Sequence, residues 1–304
     1  MAAPTIDVAL LTESRYEQPD QPDWYVSQIL EEDELLAAAF HRLGVRTVRV
    51  DWARADFPWS STRCALFRTT WDYFNRAGEF LAWLDRVSGQ TRLINSPAVI
   101  RWNMDKHYLA DLRDRGIHTV PTHFVEAATS ASLPAVLDDT GWDEAVLKPV
   151  ISGAARHTYR IDARNASEHN AVFRELLKAE AVMLQPFQRA IVDTGELSLM
   201  IIGGEYSHAV RKVAGPQDFR VQDDHGGTVH PCTPRPDEIR FAERAVGVCN
   251  PPPIYARVDM LCDNDGDLAV MELELIEPEL FMRLHPPAAE ALAHHIAEAL
   301  GVRA

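Results

Sequence analysis

Residues 254–278, IYARVDMLCDNDGDLAVMELELIEP, constrain the fold of this chain more than any other stretch. Two extended runs flank an Asp-Asn-Asp-Gly-Asp segment at 263–267, which carries the turn chemistry of a β-hairpin. Side chains alternate along a strand with period two, so Tyr255, Arg257 and Asp259 share one face of the first run. On the return run Glu272 and Glu274 share a face, with Met271, Leu273 and Leu275 opposite. Three carboxylates converging on a dry face repel one another unless a cation neutralises them. Oxygen ligands without His or Cys select Mg2+ or Mn2+ over zinc. A polar sheet face open to water satisfies the same periodicity, so the hairpin alone leaves both readings open.

A chain of 304 residues calls for two or three subdomains, or one large α/β unit. The net charge of −15 argues against nucleic acid or an anionic membrane as the main partner, while leaving room for a phosphorylated small ligand. Cys64, Cys232, Cys249 and Cys262 form no CxxC pair, which fits a reducing cytoplasm and argues against disulfides and zinc. The opening residues MAAPTIDVALL lack a basic segment before a long apolar run, so no signal peptide is expected. No apolar run is long enough to predict a membrane span.

Over the first hundred residues, strands at 6–11, 45–50, 65–68 and 93–94 alternate with helices at 26–43 and 80–87. This pattern predicts a parallel, Rossmann-like α/β layer, without the GxGxxG of a dinucleotide site. Ser96-Pro97 opens a predicted helix from Ala98 to about Arg115. Strands follow at 120–125 and 145–150 around a helix near 133–137. The second of these, VLKPV, places Lys148 inside an apolar strand, either as an edge residue that reaches solvent or as a phosphate ligand in a cleft. The small residues after it, Ser152 and Gly153 among them, suit a phosphate loop or a plain hairpin turn, and no Walker A motif is present. A helix at 167–178 precedes a strand that Pro186 ends, and 195–202 with 206–213 forms a hairpin about Gly203-Gly204. Helices are expected at 236–248 and 288–300; His294 and His295 on the latter are neighbours on different faces, not a metal pair.

The ordered set WNMDK (102–106), VLKP (146–149), LQPF (184–187), GELS (195–198), HAVRK (208–212), FRVQ…GG (219–227), RVD (257–259) and MELELIEP (271–278) resembles the ATP-grasp superfamily over the last two-thirds of the chain. The resemblance implies an α/β protein, α+β in its C-terminal part, with an N-terminal Rossmann-like domain (1–97). Two subdomains (98–187 as lid, 188–304 carrying the metals) would clasp ATP. It implies that Lys106 and Lys148 contact phosphates, aided by Ser152 and Gly153, and that Gln185, Pro186 and Phe187 form the adenine hinge. Gln188 stands where relatives often carry an acidic ribose ligand, so Glu196 is the alternative contact. The metal triad maps onto Asp259, Glu272 and Glu274, with two Mg2+ ions or Mn2+; many relatives have Asn where Glu274 stands. Arg220, with Lys212 or Arg211, would stabilise the transferring phosphoryl group, and strand parity lets only one of the latter two face the cleft.

The implied activity is an ADP-forming ligase that activates a substrate carboxylate as an acylphosphate and forms an amide bond. RTTWDY, RWNMDK, SHAVRK and ELELIEP are similar to a small branch of antibiotic-forming members that cyclise their own aminooxy amino-acid substrate. An intermolecular ligase of glutathione-synthetase or peptide-ligase type, and an ATP-binding regulatory module without catalysis, are the rival expectations. Candidate substrate contacts are Arg15, Tyr16, Arg68, Thr69, Trp71 and Asp72, at the carboxyl ends of the parallel strands, with Arg257 on the hairpin. The expected partner is an amino-acid-like carboxylate; a homo-oligomer is compatible with all of this.

Overall fold

A computed structural model describes residues 6–216, 218–221 and 226–302; Gln222 of the FRVQ motif lies outside the described residues. The first sheet holds β1 (Ile6–Thr12), β2 (Thr47–Asp51), β3 (Thr62–Thr69) and β4 (Arg92–Ile94), all parallel in the order β2-β1-β3-β4. Because crossovers cover both faces of a parallel sheet, β1 and β3 are buried and apolar through their middles (Val8 to Leu11, Cys64 to Phe67), whereas the edge strand β2 carries Arg49. Trp52, Trp59, Phe67, Phe80 and Trp83 fill one side. Helix Trp24–Arg42 and the closing helix Pro287–Ala299 pack together on the other, so the end of the chain is part of the first domain's core. The first of these helices starts two residues before the expected Val26, because the Asp23 carboxylate accepts the Val26 amide at 2.8 Å.

The second sheet contains β5 (His123–Val125), β6 (Glu144–Pro149), β7 (Tyr159–Asp162) and β8 (Val182–Pro186), antiparallel in the order β5-β8-β6-β7. It has a core of its own, in which Leu133, Leu147, Phe173 and Leu184 meet. The third sheet joins β9 (Glu196–Ile202), β10 (Glu205–Val213), β11 (Thr228–Cys232), β12 (Tyr255–Cys262) and β13 (Leu268–Glu274), antiparallel in the order β11-β10-β9-β12-β13. Strand β11 was not expected from the sequence; its Pro231 is tolerated because the strand lies at the edge.

The long helix expected over 98–115 is two helices, Pro97–Met104 and Tyr108–Asp114. Asp105 is extended between them, and the Lys106 amide bonds the Val150 carbonyl at 3.0 Å instead of continuing the helix. Both helices pack on the third sheet through Val99, Tyr108, Leu109 and Leu112.

Strand β13 lies at a sheet edge, and an edge leaves backbone groups without a ladder partner. Side chains supply what a sixth strand would. Tyr108 Oη accepts the Leu273 amide (2.9 Å), and Asn103 bonds both the Leu273 carbonyl (2.7 Å) and the Leu275 amide (2.8 Å). Asn95 donates to the carbonyls of Leu275 (2.8 Å) and Tyr255 (2.9 Å). The strand carrying the two glutamates is thereby pinned from the segment on both sides of Lys106. Among the described residues no helix is long and apolar enough to cross a membrane.

Candidate active site

Two adjoining cavities open beside the third sheet, the first between it and the second sheet, the other between it and the aromatic segment after β3. The first, about 900 Å³ including its mouth, is walled by Val146, Ile191, Phe219 and Met271 and edged by Gln185 to Gln188. Apolar walls beside a run of backbone suit a flat heteroaromatic ring. The Gln185 side chain is turned away onto Thr122 Oγ1 (3.0 Å), and Arg160 lies 3.8 Å over the Phe187 ring. Asn264, in the turn of the β12–β13 hairpin, donates to the Phe187 carbonyl (2.9 Å) and accepts from the Arg189 amide (3.1 Å), while its own amide bonds Gln188 Oε1 (3.0 Å). The Asp-Asn-Asp-Gly-Asp segment is therefore both a turn and the clamp on the hinge. Nothing in local sequence announces this, because the partners lie about 75 residues apart.

At the inner end, strict alternation fails in one instructive place. Asp259 pairs with Glu272 and Met260 with Val270, so a bulge sits at Met271. A bulge re-aims side chains. Met271, expected beside Leu273 and Leu275, instead lines the cavity with Glu272 and Glu274. Lys106 Nζ meets Glu272 Oε1 (3.0 Å) and the Ser152 carbonyl (2.6 Å), and Lys148 Nζ meets Glu272 Oε2 (3.5 Å). Strand β6 is interior, so Lys148 is no edge residue reaching for solvent. Burial lowers the Lys148 ammonium against the pull of Glu272. Burial works against ionised Glu272 too, yet the two lysines bring it down to about 2. Burial wins at Glu274, which is pushed up to about 7 despite Arg257, with Asp259 and Glu272 adding to the rise.

Behind this wall lies the second cavity, about 1110 Å³ with its mouth. It shares Lys106, Ser152, Gly153, Ala154, Glu196, Glu272 and Glu274 with the first, and adds Lys212, Arg257 and Asp259. Asp259 is saturated: Ser198 Oγ donates at 2.6 Å, Lys212 lies at 3.0 Å, and Arg257 approaches through Nε (3.0 Å) and Nη2 (2.9 Å). Against the cost of burial, Arg257 and Lys212 hold its carboxyl well below the usual range. Lys212 also pairs with Glu196, and Arg257 with Glu274.

Tertiary contacts distinguish Arg211 from Lys212. Lys212 faces the buried carboxylates, whereas Arg211 reaches the Thr194 carbonyl at 3.3 Å on the other face. Arg220 lines the first cavity with Asp218 on its guanidinium (2.7 Å). Five expected substrate contacts do not line either cavity, among them Tyr16, which packs edge-on against Trp71 at 5.9 Å. Arg15 pairs with Glu13 and is largely exposed. Arg68 is 2% exposed and holds Asp33 (3.1 Å) and Glu32 (3.4 Å). Thr69 bonds Thr12 within the sheet (2.6 Å), and Asp72 accepts from Trp52 (2.7 Å) and Arg76 (2.6 Å). From the same loop Trp71, Tyr73 and Phe74 reach the second cavity instead, joined by Tyr25. Of the expected contacts, Trp71 and Arg257 line the second cavity, whereas the charged side chains Arg68 and Asp72 find partners in the protein.

Among the described residues no three His, Cys, Asp or Glu groups are spaced to hold a metal ion. The donor chemistry still fits a hard divalent cation at Glu272 and Glu274, carboxylates that face the first cavity and crowd one another. Asp259, the third expected ligand, is held by the protein's own cations and does not line that cavity.

Residues 8–95 match the family model described as D-cycloserine synthetase DcsG, N-terminal domain. The cycloserine biosynthesis protein DcsG of Streptomyces lavendulae is 34% identical over 286 residues, covering 87% of this chain and 92% of the relative. A crystal structure of D-cycloserine synthetase DcsG superposes with a TM-score of 0.82 at 28% identity, covering 96% of this chain and 99% of the other. The D-alanine–D-alanine ligase of Bacillus anthracis, complexed with ATP, shares the fold at a TM-score of 0.66 and 14% identity, with 97% of each chain covered.

Proposed function

The chain belongs to the D-cycloserine synthetase DcsG family of ATP-grasp ligases, and from that premise we propose that it closes O-ureido-D-serine to D-cycloserine at the expense of ATP. It is an enzyme, a ligase that forms carbon–nitrogen bonds; the expectation of a module without catalysis falls with that membership. The observation that carries the reading is the shared wall. Lys106, Glu272 and Glu274 belong to both cavities, so a nucleotide in one and a carboxylate in the other would meet across them.

In this reading Gln185, Pro186 and Phe187 bound the adenine, Lys106 and Lys148 hold phosphates, and Ser152 and Gly153 border the triphosphate. Glu196 lines the first cavity while paired with Lys212, so it would position that lysine beside the nucleotide. Glu272 and Glu274 would hold Mg2+, Mn2+ serving as a substitute, and two ions suit two glutamates facing a triphosphate. The metal supplies charge neutralisation that lets an anionic carboxylate approach an anionic phosphate. Phosphate oxygens would take over Lys106 and Lys148 from Glu272, freeing its oxygens at the same moment.

The substrate carboxylate attacks the γ-phosphorus in line, ADP leaves, and an acylphosphate forms. Arg220 grips the transferring group with its planar fork. The oxygen-bound nitrogen of the same molecule then attacks the acyl carbon, and phosphate leaves. Water then adds to the carbamoyl carbon on that nitrogen, the N–C bond breaks with the proton going to the ring nitrogen, and the carbamic acid released falls to carbon dioxide and ammonia. Lys212 and Arg257, both buried beneath the second cavity, offer positive charge to the tetrahedral oxyanion; Arg211 takes no part. Both reacting groups reside in one substrate, so ring closure needs conformational ordering and no second encounter.

The cytoplasm is the proposed setting, in keeping with Cys64, Cys232, Cys249 and Cys262 all being free. Incubation with ATP, Mg2+ and O-ureido-D-serine, without added amine, tests the function. Equal amounts of ADP, phosphate and the cyclic amide by mass spectrometry are expected. A need for a second amine would turn the reading to an intermolecular ligase.

A further inference from the structure

Six carboxylates line the second cavity, and five are matched by cations of the protein. Lys212 takes Glu196, Arg257 and Lys212 take Asp259, Lys106 takes Glu272, Arg257 takes Glu274, and Arg283 takes Glu279. Glu277 has no ion pair among the described residues. Glu277 is therefore the one carboxyl of this cavity without an ion pair among the described residues, three residues beyond Glu274 and next to the wall where a carboxylate would react.

An independent feature stands beside it. Trp71 donates its indole N–H to the Glu277 carbonyl at 2.9 Å, which fixes the ring beside that residue. Tyr25 lies 6.2 Å from the Trp71 ring, and Tyr16 braces the indole edge-on at 5.9 Å. A carboxylate with aromatic faces around it suits an organic ammonium, which gains from both the charge and the ring quadrupoles. It suits a divalent metal poorly, since rings offer no oxygen ligands.

We propose that Glu277, with Trp71 and Tyr25, forms an ammonium subsite that holds the α-amino group of the amino-acid substrate. The inference rests on the second cavity being the substrate's. An α-amino group sits one carbon from the carboxyl, so an acid just beyond the reacting wall is placed to bind the one while the other meets phosphate. Burial and Glu274 hold the Glu277 carboxyl well above the usual range, and an ammonium in the subsite is the counterion that would lower it. The subsite would make the enzyme selective for amino acids over the corresponding hydroxy acids and would keep the amine away from the acyl carbon.

Equilibrium binding tests the subsite apart from turnover. Protein loaded with Mg2+ and a non-hydrolysable ATP analogue is titrated with D-serine and with D-glycerate, which carries hydroxyl in place of the ammonium. Wild type is expected to prefer D-serine about 30-fold, and Glu277→Gln to bind the two within about 3-fold. Trp71→Leu is expected to lose part of the preference. Affinity for the ATP analogue, read in the same titrations, should be unchanged in Glu277→Gln, which shows that the variant is folded. Equal binding of the two acids by wild type, or a full preference surviving in Glu277→Gln, overturns the subsite. Failure of wild type to turn over O-ureido-D-serine while the preference holds would overturn the proposed reaction and leave the subsite standing.

Discussion

Two buried charge clusters in this molecule have similar composition and opposite construction. One is the wall of Lys106, Lys148, Glu272 and Glu274, which gathers groups from β6, β13 and the turn between helices Pro97–Met104 and Tyr108–Asp114 and adjoins both cavities. The other joins Arg68, Glu32, Asp33, Arg49 and Arg283 between β3, helix Trp24–Arg42 and the segment after β13. In the first, each ion pair can be exchanged for a phosphate or a metal, because a cavity adjoins it. In the second none of the five side chains lines either cavity, and Glu32 is pushed up to about 7 by burial and Glu279 despite its arginines. Ion pairing by itself does not mark a catalytic residue. What marks one is access to a partner from outside.

The largest expected effect is at the open wall. Glu272→Gln should lower kcat/KM by about a thousandfold or more, since it removes a charge that faces the reacting phosphates. It also leaves Lys106 and Lys148 without their counterion, at a cost of about 1–2 kcal/mol in the absence of nucleotide. Steady-state kinetics and urea melts read both, and a Gln variant with near-normal turnover would remove Glu272 from the site.

The closed cluster should show the reverse. Arg68→Met leaves Glu32 and Asp33 buried without it and should cost about 3 kcal/mol of stability. At temperatures well below its lowered Tm the variant should keep kcat/KM within about threefold. A large catalytic loss at full folding would break the contrast and return Arg68 to the substrate.

A third buried group sharpens the closed side through pH. His208 donates from Nε2 to the Leu280 carbonyl (2.8 Å), lies 3.0 Å from Ser207 Oγ through Nδ1, and stacks on His285 at 4.8 Å. Burial, with His285 adding to it, holds its pKa down at about 4. The unfolded chain therefore takes up the proton first. This stabilisation is complete above about pH 6.5 and disappears as pH falls toward 4. Between pH 7 and 4.5 wild type should lose about 2 kcal/mol that His208→Gln, which keeps a donor and does not titrate, does not lose. Parallel acid dependence of the two proteins in thermal melts would count against a neutral His208.

The smallest effect lies where the two regions touch. A Cβ at Gly153 would come within 2.7 Å of the Phe74 ring, so the loop bordering both cavities rests directly on the aromatic segment of the first domain. Gly153→Ala should shift that loop and cost about 1 kcal/mol of transition-state stabilisation, with Phe74→Leu restoring part of it in the double variant. Additive losses in the cycle would deny the contact.

Much of the site was legible along the chain because it follows strand parity and residue chemistry. Lys148 is conspicuous as one charge in an apolar run, and Glu272 with Glu274 as two acids at alternate positions. Parity also states that Arg211 and Lys212 point apart. It cannot state which one points inward, because that depends on which face of β10 the rest of the protein covers. The bulge at Met271 and the break at Asp105 were illegible for a related reason: each adjusts a regular element to a neighbour far away in sequence.

The sequence by itself determined a parallel α/β layer followed by antiparallel hairpins, and the kinds of group available to the candidate site. These follow from local periodicity, turn residues and side-chain type, which need no knowledge of distant partners. Only the tertiary structure decided which charges face the cavities and which lock the core. Asn95, Asn103 and Tyr108 act on β13 across more than 150 residues, and Asn264 clamps the hinge across about 75. Such contacts depend on how surfaces meet once the chain is folded; before that, a buried arginine and a catalytic one look alike.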